Sequence, residues 1–344
     1  MAVTIEGFAH PDALDPADQE ALVAIYNACW SEWNPRHVPW SREAGLARSR
    51  LSPPPHVIQY HLARTAGGEV VGTAELHWRD GEDGSAGLGR IFVHPGHRRQ
   101  GVATGLYERC VAAARAAGLV GITLEAVEGH ADLEPVLERH RFTRDLLLEQ
   151  NLTEVDRIDE ALLRAWAAAG EALEGYSLVT YDAPAPEDLA APFVEARHVL
   201  NTAPLREGEP EAHYTVEELR AAEACIESGH QDWWAVGVRH EASGAIVGLS
   251  EMYLPRLEPH LAIQGDTGVH PEHRGHGLGA WMKAVNHLRL AAERPEVRLV
   301  QTWNASSNEP MLRINRALGF QPVQRYRSWY KAFARPSGPG AAAG

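Results

Sequence analysis

The chain carries one sequence pattern twice, at a constant spacing. The segment VGTAEL at 71–76 resembles VGLSEM at 247–252, and VHPGHRRQGVA at 93–103 resembles VHPEHRGHGLG at 269–279. Both displacements are 176 residues, because 247 − 71 and 269 − 93 give the same value. A register that stays constant over this length indicates two structural units of one fold.

The repeat predicts one domain at 1–153 and a second at 176–334. The residues between them, 154–175, have apolar side chains at helical spacing and much alanine, which predicts a linker helix. The last residues, 335–344, combine turn formers with no hydrophobic pattern, and we expect a disordered tail there. A chain of 344 residues is long enough for two ordinary domains.

Each copy alternates hairpin signals with strand–helix–strand signals. In the first copy a glycine-containing turn separates HVIQYHLA from EVVGTAELHW, which predicts a hairpin. The amphipathic segment GVATGLYERCVAAARAAG lies between two further strand patterns, which predicts a helical crossover. Hairpins and crossovers together predict an α/β fold, with a mixed, mostly antiparallel sheet and flanking helices in each domain.

Composition excludes some functions and leaves others open. The net charge of −14 repels phosphate backbones and anionic lipid, so we expect no nucleic-acid or membrane partner. The same charge would attract protonated amines, or serve only to keep the protein dissolved, and both interpretations stay open. Three distant cysteines (Cys29, Cys110 and Cys225) and the lack of a signal-peptide pattern predict a cytoplasmic protein.

Each copy has a glycine-containing loop where a strand passes into a helix. In the second copy it is the run from Arg274 to Gly279, and in the first it is the run from Arg98 to Ala103. Backbone N–H groups at a helix N-terminus lack intrahelical partners and attract anions, together with the helix dipole. Small residues let a diphosphate approach the backbone closely.

These loops resemble the signature of the GNAT acetyltransferase superfamily, Arg/Gln-x-x-Gly-x-Gly/Ala after a strand that ends in Val-x-Pro. The tandem layout is similar to that of mycothiol synthase. The resemblance implies acetyl-CoA or another short acyl-CoA as the cofactor, its pyrophosphate in the loop, and a splayed strand pair in each domain. It also implies cofactor-binding residues in both copies: Val93, Arg98, Arg99, Gln100, Gly101, Val102, Ala103 and Thr104 in the first, and Val269, Arg274, Gly275, His276, Gly277, Leu278, Gly279 and Ala280 in the second.

The two copies differ at positions that the resemblance makes important. GNAT enzymes often use a tyrosine on the last helix to protonate the leaving thiolate, and Leu137 and Asn315 stand there. In the second copy we expect Asn304, Asn308 and Asn315 to contact the pantetheine arm, although Asn308 could equally cap the helix. The first copy has no asparagine in this region. We therefore predict that catalysis belongs mainly to the second domain.

An amine must lose its proton before it can attack a thioester, so a general base is needed. Glu251, with Glu75 at the equivalent position, lies one strand before the motif strand, and Asp266 lies on that strand. We predict Glu251 and Asp266 as catalytic residues, although either could be a solvated carboxylate on a strand. The histidines of HPEHRGH are spaced by three, but they lie in a loop, and we predict no metal site.

The sequence therefore predicts an acyl-CoA-dependent N-acetyltransferase that acts on the primary amine of a small molecule, as a monomer or homodimer. Two alternatives stay open. One is acetylation of a protein N-terminus or lysine, and the other is a non-catalytic protein that binds or senses acyl-CoA.

Overall fold

The computed structural model describes residues 3–34, 36–80, 86–129, 133–204 and 211–333, and the predicted tail at 335–344 lies outside them. Both copies follow the same element order. The first contains β1 (Val3–Phe8), α1 (Pro16–Trp33), α2 (Arg42–Ser49), β2 (His56–Thr65), β3 (Val70–Arg79), β4 (Ala86–Val93), α3 (Val102–Ala116), β5 (Gly121–Val127), α4 (Glu134–Arg139) and β6 (Thr143–Glu154). After α5 (Glu160–Glu171), the second contains β7 (Tyr176–Asp182), α6 (Glu187–Arg197), α7 (Val216–Ser228), β8 (Gln231–His240), β9 (Ile246–Pro255), β10 (Leu261–Val269), α8 (Leu278–Glu293), β11 (Leu299–Ala305), α9 (Glu309–Ala317) and β12 (Gln321–Ala332).

The strands of both copies join in one continuous sheet. Within the described residues its order is β1-β2-β3-β4-β5-β12-β6-β11-β10-β9-β8-β7. The pairs β4–β5 and β10–β11 are parallel, and the other pairs are antiparallel. The predicted α/β class with a mixed, mostly antiparallel sheet is therefore confirmed.

The last strand of each copy is exchanged with the other copy. Strand β12 pairs with β5 of the first copy, from Tyr326 opposite Val127 to Ala332 opposite Gly121. Strand β6 pairs with β11 of the second copy, and β6 and β12 pair with each other at the centre. Each half of the sheet is thus completed by the other copy. The domain boundaries at 153 and 176 stay a prediction. The sheet shows in addition that each predicted domain contributes its last strand to the other.

The parallel strand pair of each copy separates along its length, as predicted. In the second copy, β10 and β11 are paired only from Leu261 to Ile263 within the described residues. Directly beyond, the pairing of β10 with β9 shifts register between Gln264 and Thr267. Such an irregularity re-aims side chains and bends the strand. This is where the strands part, and it places Glu251 of β9 opposite the bulge.

Helices cover both faces of the second half of the sheet. Helix α8 packs on one face, against a core that includes Met252 and Trp234, while α6 and α7 pack on the other, where Trp233 and Leu249 lie. The predicted linker helix forms as α5, shorter than the predicted 154–175. It packs on α8 at Gly170, where a Cβ would come within 2.1 Å of the Trp281 ring, so only glycine permits this contact.

No helix of the described chain is both long and apolar enough to cross a lipid bilayer.

Candidate active site

The loop before α8 presents backbone donors to open space. Gly275 and Gly277 have φ angles of 87° and 77°, which L side chains rarely adopt. A Cβ at either glycine would meet nothing within 4 Å, so the space in front of the loop is free. Helix α8 has no side-chain cap, and its first N–H groups, from Leu278 to Ala280, are available to an anion. This donor set suits the pyrophosphate of a CoA molecule.

The first copy has the same backbone shape. Gly101 has a φ of 84°, and Arg99 adopts a φ of 62° where the second copy has Gly275. No side chain caps α3. Val102, like its counterpart Leu278, is 1% exposed, so it offers a ligand only its backbone. Both predicted loops therefore have the geometry of an anion cradle.

The arginines of the two loops have different partners. Arg98 donates two hydrogen bonds to the carboxylate of Glu32, at 2.9 and 2.6 Å. Arg274 donates instead to the carbonyl of Val269 at 2.9 Å and to the hydroxyl of Thr202 at 2.6 Å. Within the described ranges, Arg274 makes no ion pair. Glu32 therefore neutralises Arg98, whereas Arg274 keeps its positive charge among the described residues.

The three predicted asparagines have distinct surroundings. Asn308 caps α9, because its Oδ1 accepts from the N–H of Met311 at 3.4 Å. Asn315 is only 1% exposed, and its Nδ2 donates to Oδ1 of Asn304 at 2.7 Å. The amine of Lys283 donates to Oδ1 of Asn315, also at 2.7 Å. Asn304, at the end of β11, is partly exposed and contacts the buried Asn315, so a ligand would reach Asn315 through Asn304.

The two predicted catalytic carboxylates lie on the α6 face and share one arginine. Glu251 is 2% exposed, forms an ion pair with Arg197, and accepts a hydrogen bond from the Tyr253 hydroxyl at 3.3 Å. Asp266 lies 3.6 Å from Arg197, with a side chain that is 55% exposed. Burial raises the pKa of Glu251 to about 7, an effect that Arg197 opposes and Asp266 reinforces.

The equivalent carboxylate of the first copy is differently held. Glu75 accepts a hydrogen bond from the Tyr26 hydroxyl and lies 2.9 Å from Nε2 of His77. Burial acts to raise its pKa, but His77, Arg90 and Tyr26 together bring the pKa below its ordinary value. Arg90 also lies 3.6 Å from Glu125 on the neighbouring strand, where β4 and β5 part. The first copy thus has an ion pair across its splay.

Sequence reasoning missed two charged residues of this site. Arg197 lies at the end of α6, in a helix that carried no motif. Lys283 lies on the buried face of α8 together with Asn286 and His287. The spacing of these three polar residues, at i, i+3 and i+4 on the apolar side of a helix, was a signal in the sequence.

Two of the three motif-loop histidines lie close together. The ligand atoms of His270, Glu272 and His273 are all within 4.8 Å of one another, with His270 and Glu272 exposed and His273 half-buried. His276 instead packs near the ring of Tyr176, with ring centroids 5.9 Å apart. The prediction that the chain holds no metal stays a prediction.

Comparison with known proteins agrees with this geometry. Residues 20–142 match the family model "Acetyltransferase (GNAT) family". The structure is similar to a tandem GNAT protein from the clavulanic acid biosynthesis pathway, with 28% identity and a TM-score of 0.76, covering 98% of this chain and 100% of that one. It is also similar to a GCN5-related N-acetyltransferase from Sphaerobacter thermophilus, with 18% identity and a TM-score of 0.67, covering 95% of each chain. No curated protein matches the chain. Residues 20–142 therefore match a GNAT acetyltransferase domain, and the chain as a whole has a tandem GNAT fold.

Proposed function

We propose that the second copy transfers an acetyl group from acetyl-CoA to the primary amine of a small molecule. The observation that carries this proposal is the buried Glu251, which faces the bulge of β10 at the point where β10 and β11 part. In a GNAT fold the thioester lies at this separation. A carboxylate there is placed to take a proton from an incoming amine.

The acid–base chemistry of Glu251 suits that role. A base works best when its pKa lies near the operating pH, and burial raises the pKa of Glu251 to about 7. When bound, acetyl-CoA would supply the acetyl group as a thioester: a neutral amine forms the amide bond at its carbonyl carbon, the C–S bond breaks, and CoA leaves as a thiolate that takes up the surplus proton of the attacking nitrogen. Glu251 accepts the proton that the ammonium loses, directly or through water. The Arg197 guanidinium and the Tyr253 hydroxyl hold the carboxylate in place.

A cavity lined by Arg197 and Tyr253, the two residues that contact Glu251, supports a small acceptor. It has a volume of about 220 Å³ and is lined by Trp233, Tyr253 and Arg197 of the second copy and by Leu51 and Pro53 of the first. Two of the lining residues contact Glu251 directly: Arg197 through an ion pair and Tyr253 through a hydrogen bond. A concave, partly open space of this size favours a small amine over a folded protein surface.

Two contrasts support the second copy as the catalytic one. Arg274 keeps its charge available to phosphate, whereas Arg98 is paired with Glu32. The splay of the first copy is bridged by Arg90 and Glu125, and an ion pair there would compete with an acyl group for space. The first copy would then hold CoA without transferring its acyl group, or serve as a structural partner.

A matched pair of substitutions tests this assignment. Gly277→Glu places a carboxylate in the open space before α8 and strains a left-handed residue by roughly 1–2 kcal/mol, and Gly101→Glu does the same before α3. We expect Gly277→Glu to abolish CoA release and acetylated product across a panel of primary amines, while Gly101→Glu keeps most turnover. Calorimetric titration with CoA gives the number of sites in each variant.

The reverse pattern would assign catalysis to the first copy. Acetylation of added peptides but of none of the small amines would support a protein acceptor. CoA binding at Gly277 without turnover of any amine or peptide would favour an acyl-CoA sensor.

A further inference from the structure

A lysine is buried in the second copy, next to the asparagines at the end of β11. Lys283 of α8 is 1% exposed, and among the described residues its amine donates a hydrogen bond only to Asn315, at 2.7 Å. No described carboxylate forms an ion pair with it. The titratable neighbour on its own helix is His287, which is 2% exposed and stays neutral because burial, then Lys283, lowers its pKa to about 3. Lysines are almost never buried without a partner of opposite charge, so this one calls for a functional explanation.

The amine of Lys283 determines the direction of a hydrogen-bond chain. In its protonated form this amine only donates, so it faces Oδ1 of Asn315 and not its Nδ2, and the neutral amine can keep the same N–H donation. The Nδ2 of Asn315 then donates to Oδ1 of Asn304, at 2.7 Å. Once Oδ1 of Asn304 accepts, its Nδ2 is left as a donor. Within the described chain no hydrogen bond from this nitrogen occurs, and Asn304 is partly exposed where β11 leaves β10.

We propose that Lys283 is a positioning residue for acetyl transfer, which orients Asn315 and Asn304 so that Asn304 presents an N–H donor to a carbonyl oxygen on the acyl arm of the cofactor. This inference rests on the proposed function of the second copy. Asn315 of this hydrogen-bond chain stands at the helix position where related enzymes carry a tyrosine that acts as an acid. These residues supply a hydrogen-bond donor rather than a proton, and Lys283 strengthens that donor when it is protonated.

The first copy lacks every member of this chain. Tyr107 stands at the helix position equivalent to Lys283, and its hydroxyl accepts from Lys331 of β12. Leu137 stands where the second copy has Asn315, and no asparagine occurs between 121 and 142. If the three residues served only to pack α8 on the sheet, the first copy shows that apolar and aromatic side chains do so equally well. Their joint presence in one copy indicates a role in that copy's chemistry.

The test is a double-mutant cycle. Lys283→Met removes the donor at nearly constant volume, and Asn304→Ala removes the group through which it acts. We expect each to lower kcat by about 10- to 100-fold, up to the loss seen for a direct oxyanion donor, with little change in CoA affinity. The double variant should be no slower than Asn304→Ala alone, because Lys283 acts through Asn304. Tyr107→Phe, the matched change in the first copy, should leave kcat at the parent value.

A second variant guards against misfolding. Lys283→Met leaves Oδ1 of Asn315 without a donor, whereas Lys283→Met with Asn315→Leu replaces both buried polar groups by apolar ones, which is often neutral or stabilising. Parent-level kcat in this folded double variant would overturn the inference, as would additive losses in the cycle. A different result would contradict the proposed function itself, namely parental turnover in the Gly277→Glu variant.

Discussion

The buried amine of Lys283 makes the stability of this protein depend on pH in a specific way. Burial lowers its pKa from 10.5 to about 7 in the folded state, and the unfolded chain keeps the ordinary value. Between these values the unfolded state binds a proton that the folded state releases. The free energy of unfolding therefore rises with pH from about 7 to 10, and below 7 the full cost of burying the charge is present.

The size of this effect follows from the shift. About 3.5 pKa units at 1.36 kcal/mol each give about 5 kcal/mol as an upper figure. The variant with Lys283→Met and Asn315→Leu removes this cost and one hydrogen bond worth about 1 kcal/mol. We expect it to be more stable than the parent at pH 7 by about 2–4 kcal/mol. For a chain of 344 residues this is a rise in Tm of about 3–6 °C.

Scanning calorimetry of both proteins from pH 7 to 9.5 is the decisive measurement. The advantage of the variant should fall by about 3 kcal/mol across this range, because releasing the lysine proton on folding costs less as the pH approaches the ordinary pKa of the unfolded chain. Other titrating groups are common to both proteins and cancel in the difference. A Tm difference that stays constant with pH, or a variant that is less stable at pH 7, would refute the argument that the fold holds an uncompensated lysine.

Three further outcomes concern the acid–base site and the cofactor loops. Glu251→Gln should lower kcat/KM by about 10²- to 10⁴-fold, as loss of a general base typically does, with CoA affinity retained; near-parent rates would place the base elsewhere. Asp266→Asn should move the rise of kcat/KM to lower pH, because Asp266 raises the pKa of Glu251, and an unmoved profile would separate the two groups. Arg274→Gln should weaken CoA binding by about tenfold in calorimetry, and Arg98→Gln by less because Glu32 already neutralises it; equal losses would contradict the charge contrast.

The repeat, the element order and the two anion cradles could be predicted from sequence because each depends on local signals. Small residues at Gly101 and Gly277, an arginine three residues earlier, and a proline that ends the preceding strand all lie within one short segment. Backbone conformation there is determined by the residues themselves, since the left-handed φ favours glycine. The candidate base Glu251 followed from its position in the repeated strand.

The surroundings of those residues could not be predicted in the same way. Arg197 approaches Glu251 from a helix 54 residues earlier in the chain, and the partner of Lys283 lies 32 residues later. Such contacts depend on how helices pack on the sheet, which no local pattern specifies. The sequence indicates the residue type of Asn315 but not its burial beside Asn304, and its contact with the pantetheine arm stays a prediction.

The exchange of strands β6 and β12 could not be predicted from the sequence either. It gives the first copy a structural role, although this copy lacks the asparagines of the second. Strand β6 carries the same pattern whether it pairs with its own copy or with the other, so periodicity cannot distinguish the two arrangements. In the structure β6 completes the half of the sheet that contains β10 and β11, and Asn151 and Gln150 on it lie opposite Thr302 and Trp303 of the splayed strand. Removal of the first copy would leave β11 with an unpaired edge beside the candidate active site. The first copy is therefore part of the scaffold of the second site, even though its own Glu75 is held by Tyr26 and His77 and its Arg90 pairs with Glu125.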